Sequence, residues 1–405
     1  MNRRSFLRGL GSAGALLLAA NTAGARVLYV VRAGEPTKIA DIDWFLYETE
    51  PVGAEKQPQR RCAVRITTAI GTQGWADLSE WTFPNDETAG LIKTLLLGRD
   101  AENKDGIWDT LYAEGIAMGP LSAVDIALWD LHGRMAGKPV HALLGTQRQQ
   151  AEVYVTSEFN LGDAEAYADF AVACRDAGVH GCKIHPYIKW GVGTNGPANA
   201  GFPDRDVAAY RAVREAVGDD FPCMADNYGT YNFDEALRVG RVLDELAYEW
   251  YESPMPEGDD WLDRYAALAR ELKTPICAPE TASGSAETRL SWIERKACDI
   301  CRIDVHLGGF TACLRLTRAC EAAGIGLELH GLGPDAYPHL QLIGATRDPL
   351  IRYFEMFSLS QESRVLAGRA TPEPVLDDQG CVAVPQRPGM GIELDWQYIL
   401  AHRVQ

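Results

Sequence analysis

Positive charge is scarce in this sequence, and the scarcity argues against one broad class of function. The 405 residues include 39 lysines and arginines against 56 aspartates and glutamates, a formal net charge of −17. So acidic a chain repels polyanions, which disfavours nucleic-acid binding and adhesion to anionic membranes. The composition is otherwise that of a globular protein, with apolar material for one large domain and a smaller one.

Long apolar runs are also missing, and the run near the N-terminus is too short to cross a bilayer. It follows Arg3 and Arg4 and ends in the small residues Ala23-Gly-Ala25. Paired arginines, a short apolar stretch and a small-residue cleavage site resemble a twin-arginine export signal. We therefore predict a signal peptide over 1–25, cleaved near Ala25, and a periplasmic or secreted mature chain without a membrane anchor. A merely basic N-terminus is the alternative.

A disulfide framework is not indicated, although the chain has ten cysteines. Several lie in apolar, strand-like segments, where a free thiol behaves as a small buried hydrophobe. Cys298-Asp-Ile-Cys301 is a lone CxxC without a second pair or a nearby histidine cluster, which makes it weak as a zinc or redox site. We expect mostly buried thiols, with one or two disulfides as the alternative.

Strand and helix signals alternate regularly in the second part of the chain. Between residues 151 and 357, eight short apolar runs alternate with seven amphipathic stretches. This alternation predicts an α/β fold with parallel strands, and eight strands predict a (β/α)7β TIM-type barrel. Residues 26–150 are predicted to form an α+β capping domain, which residues 358–405 return to complete. The Gly/Asn/Pro-rich insertion at 189–203 is either a lid or padding.

Charged or titratable residues stand at the ends of all the predicted strands from the second to the eighth. In such barrels the chemistry takes place at the carboxyl ends of the strands. If these residues had purely structural roles, they would lie mainly in helices and loops. Chance is therefore a poor explanation for a charged or titratable residue at the end of every one of these strands. Its members are Lys183 and His185, Asp226, Glu252, Glu280, Asp304, His330 and Glu355.

Three successive strands end in a carboxylate, namely Asp226, Glu252 and Glu280. Adjacent strands bring these groups so close that they repel one another unless a cation lies between them. Ligation by oxygen alone, with positions left for water and substrate, suits Mg²⁺ better than Ca²⁺. We therefore predict one Mg²⁺ per subunit. Neutralisation of the acids by lysines or arginines is the alternative.

Two base systems flank this trio of acids. Lys183 and His185 occupy positions i and i+2 of the second strand, so both side chains point to one face. Asp304 can hold the imidazole of His330 by one nitrogen and leave the other free as a base. The arrangement predicts removal of the proton next to a metal-bound substrate carboxylate. For Lys183 and His185 the alternative is a pair of exposed edge residues.

This set of residues resembles the enolase superfamily, in its mandelate racemase/muconate-lactonizing enzyme branch. The segment SAVDIALWDLHGRMAGKPVHALLG, residues 122–145, is close to that family's signature, and the resemblance covers essentially the whole mature chain. It implies Mg²⁺ ligation by the three acids, an Asp304–His330 dyad, and a contact from Glu355 to bound substrate. It further implies a small carboxylate substrate and a homo-oligomer.

Two departures from the family pattern concern the bases. The second-strand pair is Lys-x-His rather than the frequent Lys-x-Lys, so His185 takes the position of a proton-transferring lysine. Asp304 lies one residue closer than expected to Gly308-Gly309, which points either to a role for His306 or to a shifted turn.

Two other departures concern the metal ligands. Glu280 stands in the sequence APET, where the family more often has a glycine before the glutamate. Ser253 follows Glu252 at a position where an acid or an amide is expected. Neither departure removes a ligand.

Dehydration of a sugar acid to a 2-keto-3-deoxy acid is the predicted reaction, because in this family an Asp–His dyad commonly accompanies acid-sugar dehydratases. The alternatives are racemisation or epimerisation, cycloisomerisation of a sugar-acid derivative and, more remotely, a non-catalytic exported binding protein. Asn227, Arg60 and Arg61 are predicted to bind substrate together with Glu355. For each arginine a solvated loop is the alternative.

Overall fold

The computed structural model describes residues 15–22, 25–32, 35–50, 58–186, 203–331, 336–360 and 364–404. The paired arginines of the predicted signal lie outside these ranges, as does nearly all of the predicted insertion at 189–203. The predictions made for those two segments therefore stay predictions.

Two antiparallel sheets form from the N-terminal part of the chain. The first is a hairpin of two strands, and the second has three strands in the order β3-β4-β5, in which β4 and β5 pair antiparallel. The strands are β1 (Ala15–Thr22), β2 (Ala25–Arg32), β3 (Ile39–Glu48), β4 (Arg60–Thr68) and β5 (Gln73–Ser79).

Four helices follow these strands. They are α1 (Asp86–Leu96), α2 (Lys104–Ala113), α3 (Met118–Ala136) and α4 (Val140–Leu144). Helix α3 contains residues 122–136 of the segment that resembles the family signature, and it is buried along most of its length. It ends at Gly137, whose φ of 63° is a left-handed conformation that glycine adopts without strain.

In the part of the chain that the structure describes, eight parallel strands and seven intervening helices form the barrel, as predicted. The strands hydrogen-bond in the order β12-β11-β10-β9-β8-β7-β6-β13, and the Leu327 amide of β12 donates to the Leu350 carbonyl, just before β13. The strands are β6 (Gln150–Thr156), β7 (Gly181–Ile184), β8 (Cys223–Asp226), β9 (Trp250–Glu252), β10 (Ile276–Cys277), β11 (Ile300–Ile303), β12 (Gly326–Leu329) and β13 (Tyr353–Met356). The helices are α5 (Ala164–Asp176), α6 (Asp204–Val217), α7 (Phe233–Glu245), α8 (Leu262–Glu271), α9 (Ala286–Glu294), α10 (Gly309–Ala323) and α11 (Tyr337–Ala345).

The chain after the barrel returns to the N-terminal sheet. Strand β14 (Cys381–Ala383) pairs antiparallel with β6, and α12 (Trp396–Ala401) follows it. The indole of Trp75 donates to the Ile392 carbonyl at 2.9 Å, and Arg369 lies 2.6 Å from the Asp77 carboxylate. These contacts tie the last residues to the capping sheet.

All ten cysteines are buried free thiols, so the expected burial is confirmed and the alternative of one or two disulfides is wrong. Within the described residues, no helix combines the length and the apolarity needed to cross a membrane.

Candidate active site

The three predicted acids meet at the carboxyl end of the barrel. Asp226 ends β8 and Glu252 ends β9, where the two residues pair in the parallel ladder. Glu280 lies in the loop just after β10. One oxygen from each of the three carboxylates lies within 4.8 Å of the others. The sequence prediction that neighbouring strands bring these groups together is therefore correct.

Lys183 lies beneath the acids and is only 1% exposed. Its ammonium nitrogen lies 2.8 Å from Glu355 Oε1, 3.0 Å from Glu252 Oε1 and 3.4 Å from Asp226 Oδ2. Burial and the nearby guanidinium of Arg302 disfavour its charge, but the carboxylates outweigh both and raise the pKa of Lys183 above its usual value. Lys183 is thus a buried cation rather than an exposed edge residue.

Arg302 is a site residue that the sequence analysis missed. It lies on β11 and is 0% exposed, with Nε at 2.8 Å from Glu252 Oε1 and Nη2 at 2.8 Å from Glu355 Oε2. Side chains two apart on a strand share a face, so the position of Arg302 two residues before Asp304 was a usable signal.

The acids keep an excess of negative charge after these pairings. When all four are ionised, Asp226, Glu252, Glu280 and Glu355 carry four charges against two on Lys183 and Arg302, which leaves two, the charge of one divalent cation. Burial raises the pKa of Glu252 well above its usual value, so its ionised form needs a nearby cation. The alternative of neutralisation by lysine and arginine therefore holds only in part.

The Glu280 carboxylate is the most available of the three predicted ligands. Its Oε2 atom is buried without a hydrogen-bond partner among the described residues, 3.6 Å from Arg302 Nε. An all-oxygen donor set with two uncompensated negative charges fits Mg²⁺.

His185 lies just beyond the end of β7 and contacts the same acid as Lys183. Its Nε2 is 2.8 Å from Asp226 Oδ2, and its Nδ1 is 3.0 Å from the Ser157 carbonyl oxygen. A carbonyl can only accept, so Nδ1 carries a proton and Nε2 is the nitrogen that faces the acids. The strand therefore brings both basic side chains to one spot, as the sequence predicts.

His330 lies on the other side of the trio. Its Nε2 is 3.3 Å from Glu280 Oε1, its Nδ1 is 3.5 Å from Asp304 Oδ2, and its side chain is 31% exposed. Burial alone would lower the pKa of His330, but the carboxylates of Glu280 and Asp304 raise it above the ordinary value. Asp304 thus lies at ion-pair distance from one ring nitrogen, beyond hydrogen-bond length, while the other nitrogen faces the acids.

His306 is placed differently around the same aspartate. Its backbone N–H donates to Asp304 Oδ1 at 2.6 Å, whereas its Nδ1 lies 3.8 Å from that oxygen. Its ring lies 5.0 Å from the ring of Trp81, which comes from the capping domain. Three histidines, His306, His330 and His339, lie near Asp304, and His330 contacts the metal-ligand candidate Glu280.

The family-signature helix α3 fixes the loop that follows Asp304. The Ser122 hydroxyl donates to the His306 carbonyl at 2.8 Å and accepts from the Gly308 amide at 3.0 Å. Asp125 accepts from the Thr311 amide at 2.8 Å. The signature-like segment of the cap thereby supports a loop of the barrel that carries a predicted catalytic residue.

The structure turns Asn227 away from the site, contrary to the predicted substrate contact. Its side chain is 0% exposed and donates to Asp206 Oδ2 at 3.1 Å and to the Tyr231 hydroxyl at 2.9 Å. Its Oδ1 accepts from the Tyr210 hydroxyl at 2.7 Å. Because neighbours on a strand point to opposite faces, Asn227 cannot share the direction of Asp226.

The two predicted arginines also have partners of their own. Arg61 is buried, with Nε 3.1 Å from both carboxylate oxygens of Asp77, so its predicted role in substrate binding is replaced by a structural one. Arg60 is exposed and lies 3.1 Å from Glu48, its partner across the β3–β4 ladder, so it is solvated but begins a strand rather than lying in a loop.

Comparison with known families agrees with this geometry. Residues 166–398 match the model of the enolase C-terminal domain-like family. Residues 52–145 match the N-terminal domain of the mandelate racemase/muconate lactonizing enzyme family. Together the two matches cover the capping domain and nearly all of the barrel.

Individual proteins show the same likeness. The chain is 29% identical to the arabinonate dehydratase of Saccharolobus solfataricus over 84% of its own length and 89% of that protein. It is 28% identical to the D-galactarolactone cycloisomerase of Agrobacterium fabrum, over 82% and 88% of the two chains. The crystal structure of D-glucarate dehydratase from Agrobacterium tumefaciens complexed with magnesium superposes with a TM-score of 0.80 at 27% identity, over 91% of this chain and 100% of that one. The chain belongs to the enolase superfamily, in its mandelate racemase/muconate lactonizing enzyme branch.

Proposed function

We propose that the protein dehydrates a sugar acid to a 2-keto-3-deoxy acid. The observation that carries this proposal is the placement of two histidines on opposite sides of the acid trio, His185 at Asp226 and His330 at Glu280. The arabinonate and D-glucarate dehydratases that resemble this chain act on sugar acids, and the second was crystallised with magnesium.

We also propose one Mg²⁺ per chain, held by oxygens of Asp226, Glu252 and Glu280. When bound, the ion would supply positive charge for the substrate carboxylate and so favour loss of the adjacent proton. Lys183 and Arg302 add fixed positive charge beneath the same spot, and Glu355 lies within reach of both.

The two histidines divide the proton transfers. One imidazole takes the α-proton of the substrate, and the other, as imidazolium, delivers a proton to the β-hydroxyl, which leaves as water. The enol that remains becomes the 2-keto-3-deoxy acid. Asp304 keeps the His330 ring oriented, and the Ser157 carbonyl does the same for His185.

Cycloisomerisation is the second candidate, because the galactarolactone cycloisomerase is about as similar to this chain as the arabinonate dehydratase. The same two histidines would serve a reaction in which a ring oxygen rather than water departs. Racemisation or epimerisation would need only the proton transfers.

A library of aldonic and aldaric acids, incubated with the purified protein and Mg²⁺, tests the proposal. We expect a 2-keto product, trapped as its semicarbazone, from one acid or a small group of related acids. Proton NMR in D₂O would detect reactions that lose no water, and EDTA provides the metal-free control. Neither product nor exchange of the α-proton with any acid that binds would favour the non-catalytic binding protein and contradict the proposal.

We further propose that residues 1–25 direct twin-arginine export with cleavage near Ala25, which would make the mature protein periplasmic or secreted. Expression with its own N-terminus should give a periplasmic protein whose mass begins after Ala25, and replacement of Arg3 and Arg4 by lysine should retain it in the cytoplasm. A periplasmic product that keeps Met1 would contradict cleavage. The homo-oligomer stays a prediction.

A further inference from the structure

Glu280 lacks the support that the other two acids receive from the sheet. Asp226 and Glu252 end their strands and pair with each other in the ladder. Strand β10 spans only Ile276–Cys277, and Glu280 follows it in a loop. Something other than the sheet must therefore fix the backbone of Glu280.

The carboxylate of Glu257 accepts hydrogen bonds from the backbone N–H groups of that loop. Its Oε2 accepts from the backbone amide of Glu280 at 2.8 Å, from the backbone amide of Thr281, and from the Thr281 hydroxyl at 2.8 Å. Its Oε1 accepts from the Ser253 hydroxyl at 2.8 Å. Glu257 is only 6% exposed, so these bonds replace the water that the charge has lost.

The guanidinium of Arg289 donates hydrogen bonds to backbone carbonyls of the same loop. Arg289 lies on α9 and is 0% exposed, and its guanidinium donates to the Glu280 carbonyl at 3.1 Å and to the Gly284 carbonyl at 3.1 Å. Its Nε donates to the Arg302 carbonyl on β11 at 2.8 Å. The loop is thereby tied to the strand that carries Arg302.

We infer that Glu257 and Arg289 form a clamp that positions Glu280 for metal binding. The two buried side chains have opposite charge and grip the N–H and the C=O of the same residue, so the peptide groups on both sides of Glu280 have little freedom to rotate. Charge-assisted bonds of this kind are shorter and stronger than neutral ones. The inference rests on the proposed function, because it takes Glu280 as a metal ligand.

The clamp also accounts for an unusual feature of the sequence. Ser253 stands where the family is expected to have an acid or an amide, and its hydroxyl donates to the Glu257 carboxylate. The serine at this position therefore contacts the acid that holds the backbone of Glu280.

The test is Mg²⁺ titration by isothermal calorimetry of metal-free wild type and the Glu257→Gln variant. Glutamine has nearly the same shape, but it offers one acceptor oxygen instead of two and loses the charge. We expect a rise of about 10- to 100-fold in the Mg²⁺ dissociation constant, the usual result when the support of a ligand is removed. Ser253→Ala, which removes one bond to Glu257 and leaves the bonds to Glu280 in place, should raise the constant less.

Asp244→Asn is the matched control. Asp244 Oδ1 accepts from the Lys273 amide at 2.9 Å, from the Thr274 amide at 2.7 Å and from the Thr274 hydroxyl at 2.8 Å, before the start of the same strand β10. The contacts are of the same kind, but they lie away from the acids. We expect this variant to lower the melting temperature without changing Mg²⁺ affinity.

Four results would contradict the clamp or its premise. Wild-type Mg²⁺ affinity in folded Glu257→Gln would overturn the clamp alone, and so would an equal loss of affinity in Asp244→Asn. If Glu257→Gln does not fold, wild-type affinity in Arg289→Lys together with wild-type affinity in Ser253→Ala would overturn it. Absence of Mg²⁺ binding by the wild type would overturn the proposed metal site, and the clamp with it.

Discussion

Replacement of His330 by asparagine is expected to lower kcat by roughly 10²- to 10⁴-fold, the range that general acid–base catalysis contributes. Asparagine can still contact Asp304, but it cannot take up or deliver a proton near neutral pH. Because the three acids, Lys183 and Arg302 are untouched, Mg²⁺ binding measured by calorimetry should persist. Initial rates with the substrate found by the library screen would give kcat and KM.

His306→Asn is the control for this experiment. His306 is near the same aspartate, but it contacts Asp304 mainly through its backbone N–H, which asparagine keeps. We expect a much smaller loss of kcat than in His330→Asn. An equal or larger loss would assign the dyad to His306 and would contradict the proton transfer assigned to His330.

The barrel and the position of its acids could be predicted from the sequence because the relevant signals are local. Helix α6, one of the seven amphipathic stretches, has acidic residues in its first turn and an apolar face against the barrel. Strand β10 is only two residues long, since Pro275 and Pro279 on either side of it have no amide hydrogen to give to a ladder.

Two of the residues that the prediction missed or misplaced, Glu257 and Arg61, depend on contacts distant in sequence. Nothing local shows that Glu257 reaches the amide of Glu280. Arg61 was predicted to bind substrate because an arginine in a loop offers donors for a carboxylate, but its partner Asp77 lies across the sheet. Asn227 is different, because the alternation of side chains along a strand would have excluded it.

Arg302→Gln is expected to destabilise the metal-free protein by roughly 3–5 kcal/mol, the usual effect of removing one partner of a buried ion pair. The change leaves the carboxylates of Glu252 and Glu355 without a cation that now lies 2.8 Å from each. A divalent ion would then have one more negative charge to neutralise and no guanidinium competing for Glu252. Mg²⁺ should therefore bind more tightly to the variant and raise its melting temperature by more than it raises that of the wild type.

Arg61→Gln separates this effect from a general loss of stability. Like Arg302, Arg61 is buried and forms an ion pair with a buried carboxylate. Its partner Asp77, however, also contacts Arg369 and lies in the capping sheet. Its variant should melt at a lower temperature, with the same Mg²⁺-dependent gain as the wild type. If Mg²⁺ stabilises Arg302→Gln no more than it stabilises the wild type, then the uncompensated charge of the four carboxylates is not what the ion offsets. The charge balance that favours a divalent ion at this site would then be wrong.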